Sequence, residues 1–182
     1  MRCFAAVPIP AVYQQKLQEL VETLKKGVPA VKWVAEGNFH VTLKFIGEVE
    51  GEKVPLIAEK LEEAAKGIPP LEISLDGIGT FPPRGRPRVI WVGLKEGVGN
   101  LRPLAMGVDA RLQDLGFPRE TREFSPHLTI GRVKSSRPEI DRKGLVKNFC
   151  TPVFRVPEIV LYRSVLRREG PLYSVIKKFP LG

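Results

Sequence analysis

Only two histidines occur in this chain, and each opens the same pattern: His40-Val41-Thr42-Leu43 and His127-Leu128-Thr129-Ile130. An unperturbed imidazole, with a pKa of about 6.5, holds both protonation states near neutrality, so one ring can take a proton while another gives one. A displacement at phosphorus asks for that division of labour, with a base on the incoming nucleophile and an acid on the leaving oxygen, on opposite sides of the phosphorus. The hydroxyls of Thr42 and Thr129 would donate to the non-bridging oxygens, and a guanidinium such as Arg132 would neutralise the charge gathering there. The scheme requires no metal, and the sequence offers no His/Cys cluster with zinc-ligand spacing. Rival catalytic sets are missing: there is no Gly-x-Ser-x-Gly, no P-loop and no Gly-x-Gly-x-x-Gly after a strand.

The scheme holds only if the two patterns lie on neighbouring strands that turn both imidazoles into one cleft. Both segments alternate apolar and polar residues with a period of two, so each predicts a half-buried strand whose His and Thr share a face. Arg132 has the opposite parity to His127 and reaches that face only if Gly131 admits a bulge or the strand ends there.

The remaining elements follow from the same patterns. Strands are expected at 2–7, 31–34, 39–46, 71–75, 77–81, 88–94, 123–133, 153–166 (broken at Pro157) and 172–179. Strands 31–34 and 39–46, joined by a turn at 36–38, should pair as a hairpin, and Asp76-Gly77 should turn the chain between its two flanking strands. Helical spacing predicts helices at 11–26, 52–66 and 101–115, each followed by glycine, and a fourth at 139–148 that Gly144 interrupts. Strands and helices recur in a similar order on either side of the middle, and the two histidines stand near half the chain length apart. Two related α+β units follow from that, with no clean linker between them.

The 182 residues, 43% hydrophobic and 27% charged, suffice for a packed core. No apolar run approaches the roughly 18 residues of a membrane span and the N-terminus has no secretory h-region, so a cytoplasmic protein with no membrane partner is expected. Cys3 and Cys150 match no metal or disulfide pattern and are expected as buried, reduced thiols. Trp33, Trp91 and the nine Phe are expected in the core rather than as base-stacking platforms. The net charge of +9, with arginines gathered at 84–88, 119–122 and 163–168, favours a polyanionic partner.

At the paired motifs the sequence resembles the RNA 2′,3′-cyclic phosphodiesterase family, also called 2′-5′ RNA ligase, of the two-histidine phosphoesterase superfamily. The likeness extends to Arg2-Cys3-Phe4-Ala5-Ala6, to Trp33 before the first motif, to Pro126 before the second, and to the stretch with Ser164, Gly170 and Tyr173. The resemblance implies one bilobal α+β domain over 1–182: two pseudo-symmetric lobes, each an antiparallel sheet with helices on its outer face, and a basic active-site cleft between them. It implies hydrolysis of RNA 2′,3′-cyclic phosphodiester ends to 2′-phosphomonoesters, with His40 as proton donor, His127 as proton acceptor, and Thr42, Thr129 and Arg132 binding the phosphate. RNA ends or cyclic nucleotides are the expected partners, with no cofactor or metal, and the chain is expected as a monomer. Joining RNA ends through a 2′-5′ bond would be the same reaction reversed. A non-catalytic RNA-end binder, and a phosphodiesterase for 2′-5′ oligonucleotides or other small cyclic phosphates, are the alternatives.

Overall fold

The computed structural model describes residues 1–134, 145, 148–167 and 170–182. In chain order the elements are β1 (Arg2–Pro8), α1 (Ala11–Lys25), β2 (Val31–Trp33), β3 (His40–Glu48), a 3₁₀ turn (Gly51–Lys53), α2 (Val54–Ala65), β4 (Leu71–Ile73), β5 (Leu75–Phe81), β6 (Val89–Leu94), α3 (Val98–Gln113), β7 (His127–Val133), β8 (Phe154–Val156), β9 (Glu158–Leu166) and β10 (Pro171–Pro180). Each helix buries one stripe: Leu17, Leu20, Val21 and Leu24 on α1; Ile57, Ala58, Leu61, Ala64 and Ala65 on α2; Leu101, Leu104, Ala105, Val108 and Leu112 on α3. Helix α2 lies against α3, β9 and β10, and α3 also lies against β3.

Among the described residues the strands form a sheet in the order β10-β9-β1-β3-β7-β6-β5, with β2 on β7, and a small second sheet of β4 and β8. All the pairings are antiparallel. The expected α+β architecture is present, and the pairings reveal a two-fold pattern. Strand β1 stands to β3 as β6 stands to β7, β9 lies on β1 as β5 lies on β6, and β4 pairs with its counterpart β8. The equivalent strands β5 and β9 are therefore each exchanged into the opposite lobe, and β10 extends the sheet beyond β9. The lobes meet where Val41 pairs with Leu128.

Three local expectations need correction. Strand β2 pairs with β7 rather than forming a hairpin with β3. Asp76-Gly77 is no turn either, because β5 runs through it, and Gly77 instead takes φ +71° at a register shift between Asp76 and Ile78. A third concerns Cys150, which is exposed while Cys3 is buried. The helix expected at 139–148 lies for the most part outside the described residues.

Both motif strands carry a bulge at the same place. On β7, Trp91 and Ile90 of β6 face Thr129 and Gly131, which leaves Ile130 unpaired. On β3, Ala6 and Ala5 of β1 face Thr42 and Lys44, which leaves Leu43 unpaired. Each bulge inverts the alternation beyond it. Arg132 therefore shares the face of His127 and Thr129, while Lys44 leaves the face of His40 and Thr42. Gly131, just past the second bulge, leaves room for β2, since a Cβ there would lie 2.6 Å from Val31 Cγ1 and 2.9 Å from the Trp33 ring. Gly131→Ala should cost about 1–3 kcal/mol through that overlap, the usual range for overpacking. Urea denaturation at pH 7 would check it, and an unchanged midpoint would contradict the packing described.

Candidate active site

The Val41–Leu128 pair determines what faces the cleft. Both residues are fully buried in the apolar cluster, so their neighbours on the strands point the other way. Continued one residue in each direction, the register sets His40 beside Thr129 and Thr42 beside His127. The two histidines are then diagonal neighbours on one face, a relation that separates backbones by about 7–8 Å and leaves space between the rings for a tetrahedral group.

Each ring is held in the same manner. His40 Nδ1 lies 2.7 Å from the Asn38 carbonyl oxygen and His127 Nδ1 lies 2.8 Å from that of Ser125. A carbonyl only accepts, so both Nδ1 atoms carry hydrogen and Nε2 of each neutral ring keeps its lone pair. Gln14 of α1 clamps the approach to His40: its amide donates to Phe39 O at 2.7 Å and Ile9 O at 3.2 Å, and its oxygen accepts from Gly37 N at 3.1 Å and Phe39 N at 3.2 Å. Asn38 Nδ2 also donates to Pro171 O at 3.2 Å, which ties that approach to β10.

Aromatic rings surround the imidazoles. His40 lies 4.8 Å from Phe4 and 5.3 Å from Tyr173, and His127 lies 4.9 Å from Phe81, centroid to centroid. Tyr162 stacks on Phe4, and Trp91 packs beside Phe81. Trp91 lies flat across Gly79, where a Cβ would come within 2.2 Å of the indole. Two expectations change here. Trp91 and Phe81 line the site instead of the core, and Phe45 is 63% exposed. A signal existed for Phe45, which follows His40 by the same interval that separates Arg132 from His127. Nothing local marked Gln14, Tyr162 or Trp91, because tertiary pairing alone brings them in.

Burial lowers the proton affinity of both rings. His40 is pushed down to about 4, mainly by desolvation, with the Arg132 and His127 charges acting in the same direction against the Asn38 hydrogen bond. His127 is lowered by desolvation and by Arg132, against the Ser125 hydrogen bond. Arg132 also pulls down Tyr173, whose phenol burial raises overall. The Arg132 charge thus acts on both imidazoles and on the tyrosine. Among the described residues no three His, Cys, Asp or Glu side chains stand close enough to hold a metal ion.

The family described as LigT-like phosphoesterase matches this chain twice, over residues 7–91 and 92–173. Proteins named RNA 2′,3′-cyclic phosphodiesterase are similar along the whole length. The one from Archaeoglobus fulgidus is 39% identical, covering 98% of this chain and 99% of the relative, and the one from Methanocaldococcus jannaschii is 37% identical, covering 98% and 100%. Among solved structures, a Thermus thermophilus protein superposes with a TM-score of 0.83 at 30% identity, covering 100% of this chain and 98% of that one. Escherichia coli LigT complexed with 3′-AMP superposes with a TM-score of 0.77 at 26% identity, covering 99% and 97%.

Because the folded His40 pKa lies below the unfolded value of about 6.5, the neutral ring favours the native state above that pH. That stabilisation is lost as pH falls through the window from about 6.5 towards 4. Wild type should lose more stability than His40→Gln between pH 7 and 4.5, by at most about 3 kcal/mol. Urea midpoints at the two pH values check this, and equal losses would contradict the buried neutral ring.

Proposed function

This chain belongs to the LigT-like phosphoesterase family, and we propose that it hydrolyses RNA 2′,3′-cyclic phosphodiester ends to 2′-phosphomonoesters. The observation that carries the proposal is the diagonal pair of imidazoles, each fixed through Nδ1 so that Nε2 is free for proton transfer. Full-length similarity to proteins named for that reaction supports the substrate class.

In the proposed reaction His127 Nε2 removes a proton from water, the water oxygen forms a bond to phosphorus, and the P–O3′ bond breaks. His40 Nε2 gives its proton to the departing 3′ oxygen. Thr42 and Thr129 donate to the non-bridging oxygens, and Arg132 neutralises the charge that builds there. Since His40 is pushed down to about 4 in the free protein, the anionic substrate must restore its proton. A negative charge within a few ångströms favours imidazolium, so binding and protonation are coupled. The same chemistry reversed, with an RNA hydroxyl in place of water, gives 2′-5′ joining, and the concentration of water favours hydrolysis. RNA ends or cyclic nucleotides are the proposed partners, on one monomeric bilobal unit acting in the cytoplasm. Among the described residues no helix is long and apolar enough to cross a membrane.

The test is incubation with a 2′,3′-cyclic nucleotide in EDTA. A 2′-monophosphate should appear, and its absence with intact binding would leave an RNA-end binder. His40→Ala and His127→Ala should each lower turnover by roughly 10²- to 10⁴-fold, the usual size of a lost acid or base. A substrate with sulfur in place of the 3′ oxygen needs no acid, because a thiolate leaves readily. That substrate should restore most of the rate of His40→Ala and little of that of His127→Ala; the opposite pattern would exchange the two roles.

A further inference from the structure

Lys44 follows Thr42 by two residues on the first motif strand, and the chemistry above makes no use of it. The bulge at Leu43 turns it through the sheet, where it is only 8% exposed. Its ammonium donates to the Asp109 carboxylate of α3 and, at 2.6 Å, to the carbonyl of Pro118. Asp109 in turn accepts from the Glu120 N–H at 3.1 and 3.3 Å, and Arg119 Nε stands 3.9 Å away. Glu120 folds back to accept from the N–H groups of Thr121 and Arg122 at 3.1 and 3.2 Å. Arg102 of α3 holds Glu123 at 2.6 Å. Two residues further on, the Ser125 carbonyl takes the Nδ1 hydrogen of His127.

Taking a cation and a carboxylate out of water costs more than a surface pair, and apolar side chains of similar volume would often serve the core as well. What this pair provides that apolar groups lack is a hold on backbone: one carbonyl and one N–H of the segment approaching the second motif. Gln14 holds the approach to His40 in the same way, with two carbonyls and two N–H groups. The two histidines thus have separate clamps, and the clamp for His127 is reached from the strand that carries His40.

We propose that Lys44 and Asp109 are positioning residues for His127, holding the segment 118–125 so that the Ser125 carbonyl aims Nε2 into the cleft. This rests on the two-histidine reading of the site. Neither residue touches the reacting atoms, and their effect is transmitted through Ser125. The groups facing the His127 ring are Phe81 and Trp91, and the charge that reaches it is that of Arg132.

With two histidines in the chain, the Cε1–H region of a ¹H–¹³C spectrum contains two titrating signals, assigned by His40→Gln and His127→Gln. Lys44→Met should move the His127 signal and its titration midpoint while leaving His40 in place, and Gln14→Leu should do the reverse. Misplacing a catalytic group by about 1 Å costs on the order of 10²-fold, so Lys44→Met should lower kcat to that extent with KM unchanged, and Lys44→Arg should recover most of the loss. Asp109→Asn should shift the His127 signal in the same direction as Lys44→Met. If Lys44→Met does not fold, Lys44→Met/Asp109→Leu removes both charges together and should show the same displaced His127 signal. An unmoved His127 signal in a folded variant overturns the proposal, as does equal movement of both signals, or failure of all these variants to fold. Full turnover by His127→Ala would sink the two-histidine reading instead, and the spectra would still report on the clamp.

Discussion

A single antiparallel residue pair, Val41 with Leu128, is where the two lobes' sheets join. Antiparallel pairing is directional, so one pair fixes the neighbours on both strands and the face to which each points. With Val41 and Leu128 buried, the imidazole and hydroxyl of each motif go to the opposite face, each histidine beside the other strand's threonine. A shift of one residue would turn one strand over relative to the other and leave the two histidines on opposite faces of the sheet. The large apolar cluster behind the sheet, including Phe39, Ile130 and Leu104, therefore protects the chemistry by making any other register expensive.

The pseudo-two-fold supplies two imidazoles from one motif, which the proposed reaction uses as acid and base, and its imperfections supply direction. Equivalent positions past the bulges hold Phe45 in one lobe and Arg132 in the other, so the positive charge lies on one side of the pair. Lys44 and Gly131 are equivalent as well. One reaches back to α3, while the other leaves room for Val31 and Trp33. A cyclic phosphodiester with distinct 2′ and 3′ oxygens needs a cleft whose ends differ, and these substitutions make them differ without disturbing the shared strand geometry.

Much of this was legible in the residues because strand periodicity is local. Alternation placed His40 with Thr42 and His127 with Thr129, and helical stripes placed α1, α2 and α3 within a few residues. Arg132 needed a bulge that only Gly131 hinted at, and the bulge is there. The equivalent bulge at Leu43 had no glycine to mark it, so Lys44 would have been assigned to the cleft by alternation alone. Partners of β2, the run of β5 through Asp76-Gly77, and the rings of Trp91, Phe81, Tyr162 and Tyr173 around the histidines depend on strands distant in sequence. Local pattern carries no information about such neighbours.

The central claim is that both imidazoles act on one phosphorus from opposite sides. Vanadate bound with a nucleoside takes five oxygens, two of them axial, as a displacement at phosphorus does in its transition state. A crystal structure of that complex should show His40 Nε2 hydrogen-bonded to one axial oxygen and His127 Nε2 to the other, with the threonine hydroxyls and Arg132 on the equatorial oxygens. A complex in which one histidine contacts the vanadate and the other remains outside hydrogen-bonding reach would contradict it.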